Sequence, residues 1–248
     1  MYAGIDIGSR TIALVITDGQ EIINARVVDT GYTPIQTAKE LLAGEKFSRL
    51  IATGYGRHSA RSEFADDIIT EIKAHAIGAR YFHPETRTIL DIGGQDSKVI
   101  LLNEKGGIID FQMNDKCSAG TGKFLEVMAN ALGYSPDEFG HEALQGKKGI
   151  KISSMCTVFA ESEAISLVHR GTPRQDIARA LHISVAERAA GMLQRINFIP
   201  PLAFSGGVAR NSCIVKFLEE KLQTKILVNR DPQLIGALGA ALFASQIN

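Results

Sequence analysis

Two short stretches carry the residues best suited to chemistry. One runs from Asn114 to Glu126, NDKCSAGTGKFLE, and the other from Ser153 to Glu163, SSMCTVFAESE. Each offers a cysteine, then a residue able to open a helix, then a helix-forming run: Lys123 to Leu132 after Cys117, and Val158 to Val168 after Cys156. The pattern predicts that both sulfurs sit at helix N-termini. Free backbone N–H groups and partial positive charge at such ends favour a thiolate, or an anionic cluster built on thiolates. A second kind of chemistry is written twice, in Asp6-Ile7-Gly8-Ser9 and Asp91-Ile92-Gly93-Gly94. Here a carboxylate ends an apolar run and small residues follow. Backbone N–H groups of such a turn can approach phosphate oxygens, and the carboxylate can hold a hydrated Mg²⁺. Either copy alone could be a plain hairpin with a capping aspartate. The repeat favours a pair of turns that clamp a polyphosphate from two sides.

The elements around these residues also repeat. Tyr2 to Ile7, Thr11 to Thr17 and Glu21 to Val28 read as strands, with a hairpin turn at Asp18-Gly19. A helix over Thr33 to Leu42, a strand over Leu50 to Thr53, a loop over Gly54 to Arg57 and a helix over Ile68 to Ala79 follow. The pattern then restarts with strands over Thr88 to Ile92, Ser97 to Leu102 and Ile108 to Met113. Beyond the first cysteine segment lie a polar helix over Pro136 to Ala143 and a Gly/Lys loop from Gly146 to Gly149. After the second comes a long helix from Pro173 to Ile196, stopped by Pro200-Pro201. Leu202 to Phe204 is a strand that enters Ser205-Gly206-Gly207-Val208-Ala209-Arg210-Asn211, where the double glycine permits close backbone approach to a ligand. A helix from Asn211 to Leu222, a strand from Lys225 to Val228 and a small-residue helix from Leu234 to Phe243 complete the chain. The last helix, rich in glycine and alanine, is expected to pack tightly between two lobes.

Bulk composition narrows the classes. At 248 residues, 45% hydrophobic and 22% charged, the chain can bury a large core. Lys+Arg and Asp+Glu both total 27, so no overall field draws it to nucleic acid or to an anionic membrane. No apolar run approaches the roughly 20 residues of a bilayer span, and MYAGIDIGS lacks the features of a signal peptide. Three cysteines form no disulfide framework, which fits a reducing cytoplasm and metal or redox roles.

These motifs resemble the ATPase superfamily of sugar and acetate kinases, actin and heat-shock ATPases. DIGSRT (Asp6 to Thr11) is similar to its first phosphate motif, DIGGQDSK (Asp91 to Lys98) to its second, and SGGVARN (Ser205 to Asn211) to its adenosine motif. Within it, NDKCSAGTGKFLEVMA and MCTVFAESE closely resemble the activators, or component A, of 2-hydroxyacyl-CoA dehydratases and the ATPase subunits of benzoyl-CoA reductases. The resemblance implies an α/β, duplicated, two-lobed actin-like (ribonuclease H-like) fold with nucleotide between the lobes. The expected lobes are residues 1–86, with 232–248 packing back on them, and 87–231.

It further implies ATP and Mg²⁺ as ligands and one [4Fe–4S] cluster shared by a homodimer through Cys117 and Cys156. A cubane takes four thiolates, so two per chain on a two-fold axis complete the count. Gly8, Ser9, Arg10, Thr11, Gly93, Gly94 and Gln95 would hold phosphates, and Gly206, Gly207 and Gln233 the nucleoside. Asp6 and Asp91 would position Mg²⁺, and one of them or Gln95 would orient the attacking water. The implied function is an ATP-driven one-electron reductase, supplied by a ferredoxin or flavodoxin, that reduces an iron–sulfur dehydratase or reductase. Cys213, within an apolar helix, reads as an inert buried thiol. A small-molecule kinase of the same fold, and a nucleotide-dependent scaffold with structural cysteines, are the alternatives. Iron content separates them from the reductase.

Overall fold

The repeat becomes two five-stranded sheets of one topology. In this computed structural model, which describes residues 1–117, 119–147, 149–152 and 156–247, the first sheet contains β1 (Tyr2–Ile7), β2 (Thr11–Thr17), β3 (Ile22–Asp29), β4 (Arg49–Thr53) and β5 (Asp67–Ile68). Its order is β3-β2-β1-β4-β5. The second contains β6 (Thr88–Ile92), β7 (Ser97–Leu102), β8 (Ile108–Asn114), β9 (Leu202–Ser205) and β10 (Ile226–Val228), in the order β10-β9-β6-β7-β8. Each sheet pairs its first strand antiparallel to the second and parallel to the fourth. Even the register irregularity recurs, at Ile16/Thr17 in β2 and Leu101/Leu102 in β7. Asp6 and Asp91 therefore occupy equivalent strand ends, Asp6 opposite Thr53 and Asp91 opposite Ser205.

Both sheets are covered on both faces, which is why their central strands read as unbroken apolar runs. Ala3, Ile5 and Ile7 pack against α1 (Pro34–Leu42) and α2 (Arg57–Glu63). On the opposite face, Ala13, Val15 and Ile51 meet α9 (Ile235–Gln246) and α3 (Glu71–Phe82). Those two helices form the layer between the sheets, since α3 also buries Ala76 and Ala79 against Ile89 and Ile100. A Cβ at Gly239 would run into the Ala74 carbonyl, so the small residues of α9 are demanded by helix contact. The outer face of the second sheet carries the largest core cluster.

The halves differ in their crossovers. β3 reaches β4 through α1, whereas β8 reaches β9 through α4 (Gly122–Ala131), α5 (Pro136–Gln145), α6 (Thr157–His169) and α7 (Arg174–Arg195) among the described residues. Three local expectations need correction. The loop placed after Thr53 turns into α2 at Arg57. Ile68 belongs to β5, pairing with Ala52, and α3 starts only at Glu71, where the Thr70 hydroxyl accepts the Lys73 N–H as an N-cap. Cys117 is not at a helix start: the N-cap position of α4 is Thr121, so the cysteine lies in the loop between β8 and α4. Cys156 does occupy the N-cap of α6. Ser118 of the first cysteine segment and Ser153 to Met155 of the second lie outside the described residues.

Candidate active site

The first and second turns face one another across a cleft of about 740 Å³. Asp6, Gly8, Ser9, Arg10, Thr11, Asp91, Gly93, Gly94, Gln95, Gly206, Gly207 and Gln233 all line it, so the structure brings together every residue predicted for nucleotide or Mg²⁺. The turns close alike: Gly8 N–H donates to Thr11 O at 3.0 Å, and Gly93 N–H to Asp96 O at 3.0 Å. They also touch. A Cβ at Gly94 would lie 2.8 Å from the Arg10 Cβ and 3.3 Å from the Ser9 hydroxyl.

Chemically the two carboxylates have diverged. Asp91 is buried; the Ser205 hydroxyl donates to its Oδ1 at 2.9 Å and Lys98 Nζ lies 3.3 Å from its Oδ2. Burial pushes the Asp91 carboxyl up, but His75, Lys98 and the Ser205 hydrogen bond outweigh it and hold the group below its ordinary value. Lys98, itself buried, also meets Asp96 at 2.7 Å and Glu71 at 2.7 Å. Burial lowers the ammonium's pKa, while the carboxylates of Asp91, Glu71 and Asp96 more than reverse this and hold it charged. Asp6 is half-buried, and no hydrogen bond or ion pair reaches it among the described residues. Burial pushes it up to about 7, against the pull of His75 and Lys98.

This balance tests the fit of a divalent cation. Three carboxylates, Glu71, Asp91 and Asp96, share the Lys98 ammonium, and a fourth, the cleft-facing Asp6, has no ion pair or hydrogen bond among the described residues. No group of three or more His, Cys, Asp or Glu ligands occurs among the described residues. An excess of negative charge without a protein cage suits hydrated Mg²⁺, which keeps waters and takes phosphate oxygens.

The predicted nucleoside loop is held from behind. Gly206 has φ +85°, and a Cβ there would lie 2.9 Å from Asp91 Oδ1. Asn211 caps α8 (Ser212–Leu222) by accepting from Cys213 N at 3.1 Å and Ile214 N at 3.2 Å. Its amide lies 3.0 Å from His182 Nε2, whose other ring nitrogen bonds Ala178 O at 2.8 Å. Burial lowers His182 to about 4, so the ring is a neutral strut. Gln233 takes a hydrogen bond from Arg210 at 3.3 Å beside Gly207.

Direct hydrogen bonds join the second turn to the Cys117 segment. Gly122 N–H donates to Gly93 O at 2.9 Å and Lys123 N–H to Gly94 O at 2.8 Å, seating the start of α4 on the turn. The Ser97 hydroxyl holds Gly120 O at 3.3 Å, and the Asn114 amide holds Cys117 O at 2.9 Å. Arg10 of the first turn pairs with Glu126 of α4 at 3.4 Å. Cys117 and Cys156 are both exposed, and α6 packs on α4. Around Cys156 the helix surface is apolar, with Val158 65% and Phe159 67% exposed. The donor set is thus two accessible thiols per chain, half of what a cubane takes. Cys213 is fully buried and its thiol is pushed up to about 12 by burial, as expected of an inert packing residue.

Sequence reading missed Glu71, His75 and Lys98. Lys98 stood inside the DIGGQDSK motif, but the motif does not tell which carboxylates gather around it. Glu71 and His75 come from α3, whose helical spacing put them on one face without showing that the face meets the cleft.

Comparison with known proteins agrees with this architecture. The chain is 45% identical over 254 residues to the activator of lactoyl-CoA dehydratase of Anaerotignum propionicum, covering 98% of this chain and 97% of that one. The crystal structure of component A of the (R)-2-hydroxyglutaryl-CoA dehydratase of Acidaminococcus fermentans superposes with a TM-score of 0.92 at 41% identity, covering 99% of this chain and 97% of that one. The activator of the 2-hydroxyisocaproyl-CoA dehydratase from Clostridium difficile, solved with bound ADPNP, gives 0.92 at 42% identity, with 99% and 95% covered. Residues 3–244 match one family model, and with its duplicated actin-like fold the chain belongs to the BadF/BadG/BcrA/BcrD ATPase family.

Proposed function

We propose that this protein is an ATP-driven activator that passes single electrons to a 2-hydroxyacyl-CoA dehydratase or a related reductase. The reading rests on one observation above the others: the start of α4 is hydrogen-bonded to the second phosphate turn, and α4 leads back to exposed Cys117. Similarity to dehydratase activators, one of them solved with an ATP analogue, supports both halves of the proposal.

In this reading ATP and Mg²⁺ occupy the cleft between residues 1–86, with 232–248, and residues 87–231. Backbone N–H groups of the Gly8-Ser9 and Gly93-Gly94 turns hold phosphates, and Gly206 and Gly207 lie against the nucleoside. Asp6 orients the hydrated cation, because Asp91 is already engaged by Lys98 and Ser205. Loss of the terminal phosphate changes how Gly93 and Gly94 sit, and their carbonyls carry α4 with them. Cys117 and Cys156 would each bind iron, and a second copy would supply the other two thiolates. A bound [4Fe–4S] cluster supplies a one-electron store whose potential depends on hydrogen bonding and exposure. The apolar rim at Val158 and Phe159 then covers the shared site. A ferredoxin or flavodoxin is the proposed donor.

Anaerobic purification with iron analysis and light scattering tests this. The expected result is a dimer with about two irons per chain, lost in Cys117→Ser and in Cys156→Ser and kept in Cys213→Ser. A monomer carrying a complete four-iron cluster would sink the bridging arrangement. An iron-free protein with sugar-dependent ATP turnover would point to a kinase instead.

A further inference from the structure

One buried group in the cleft has no part in the proposed ATP chemistry so far. His75 on α3 is 5% exposed and stands between the two pseudo-equivalent carboxylates. Its Nδ1 is 3.6 Å from Asp91 Oδ1 and 3.3 Å from the Ser205 hydroxyl. On its other side, a Cβ at Gly236 would run into Asp6 Oδ2 while lying 3.3 Å from His75 Nε2, so the imidazole and the Asp6 carboxylate border the same small space. The single Ser205 proton is committed to Asp91 at 2.9 Å. Nδ1 must therefore carry the hydrogen it shares with Ser205 Oγ.

The halves are not symmetric about this ring. Ser205 serves Asp91, but its counterpart Thr53, which faces Asp6 in the strand register, has a buried hydroxyl without a hydrogen-bond partner among the described residues. One carboxylate is held from several directions, and the other is held by neither ion pair nor hydrogen bond among the described residues. The imidazole is wedged between them, on the helix that separates the two sheets.

We propose that His75 is a positioning residue for ATP hydrolysis: it fixes Asp91 through Ser205 and keeps Asp6 apart from Asp91, aimed into the cleft at the site of Mg²⁺ and attacking water. The inference rests on the ATPase reading of the cleft and is independent of iron. Nucleotide affinity resides in the glycine turns, so the defect should appear in turnover and not in binding.

The experiment measures steady-state ATP turnover, Mg²⁺ dependence and calorimetric ADP binding for the parent protein, His75→Leu and His75→Asn. Leucine keeps volume and removes both ring nitrogens, whereas asparagine returns an N–H near the Nδ1 position. The expected result is ADP affinity within about twofold of the parent and kcat for His75→Leu down roughly tenfold to a hundredfold, the cost of a misplaced catalytic group. More Mg²⁺ should be needed for half-maximal turnover, and His75→Asn should recover much of kcat. His75→Leu with parental kcat and Mg²⁺ dependence would overturn the inference. So would equal loss in both variants with no rescue, which marks a packing role alone. If His75→Leu does not fold, His75→Asn decides: it must fold and retain much of parental kcat. A parent without ATP turnover would instead remove the reading of the cleft itself.

Discussion

Asp6→Asn should make the nucleotide-free protein more stable while stopping its ATP turnover. Asp6 rises from an ordinary 3.8 to about 7 because its half-buried place at the cleft disfavours the charged carboxylate. A raised acid is protonated in the fold while already ionised in the unfolded chain. Between 3.8 and about 7 the folded state loses stability as pH rises, and above that interval the full cost persists. At 1.36 kcal/mol per pH unit the whole interval is worth about 4 kcal/mol, of which about 2–3 falls between pH 5 and 8. Asparagine has no charge to bury, so its advantage should grow by that amount over the same range. For a chain of this size each kcal/mol moves Tm by about 2–4 °C. The advantage should therefore widen by about 5–10 °C from pH 5 to pH 8. Thermal denaturation of both proteins, with chelator and without nucleotide, reads this directly. An advantage that stays flat with pH, or a variant less stable at pH 8, would refute the argument that Asp6 is buried at a cost until a cation arrives. Saturating Mg²⁺ and ADP should narrow the gap, because only the parent carries the carboxylate that favours the cation.

Lys98→Met should cost about 3–5 kcal/mol at neutral pH, seen in urea or thermal unfolding, because it leaves Asp91, Glu71 and Asp96 around an uncharged chain. Gly94→Ala should raise the KM for ATP about tenfold, roughly 1.4 kcal/mol, without unfolding the protein, since its Cβ would press on Arg10 and part the two turns. Initial-rate kinetics check it. Glu126→Gln removes the partly exposed pair with Arg10, so stability should change by less than about 1 kcal/mol. In cluster-free protein, however, the effect of nucleotide on the alkylation rate of Cys117 should shrink.

Much of this molecule could be read from the order of its residues. The Asp-Ile-Gly turns announced a duplication, and unbroken apolar runs between glycine turns placed the central strands within a residue or so. Such signals are local: a turn needs its small residues, and a buried strand needs its apolar ones. Cys156 was legible for the same reason, since a helix start depends on its neighbours in sequence. Cys117 was not, because α4 starts where Gly122 and Lys123 find the carbonyls of Gly93 and Gly94, a hydrogen bond made nearly thirty positions back along the chain. His75, Lys98 and Glu71 remained invisible on the same grounds. A histidine or a lysine on an amphipathic element looks solvent-facing until another element closes over it. The second sheet closes over Glu71 and His75 of α3, and α3 in turn closes over Lys98 of β7. Tertiary packing alone decided that Asp91 would be pinned and Asp6 left open, because the sequence writes both as the same Asp-Ile-Gly and only the surrounding charges and hydroxyls tell them apart.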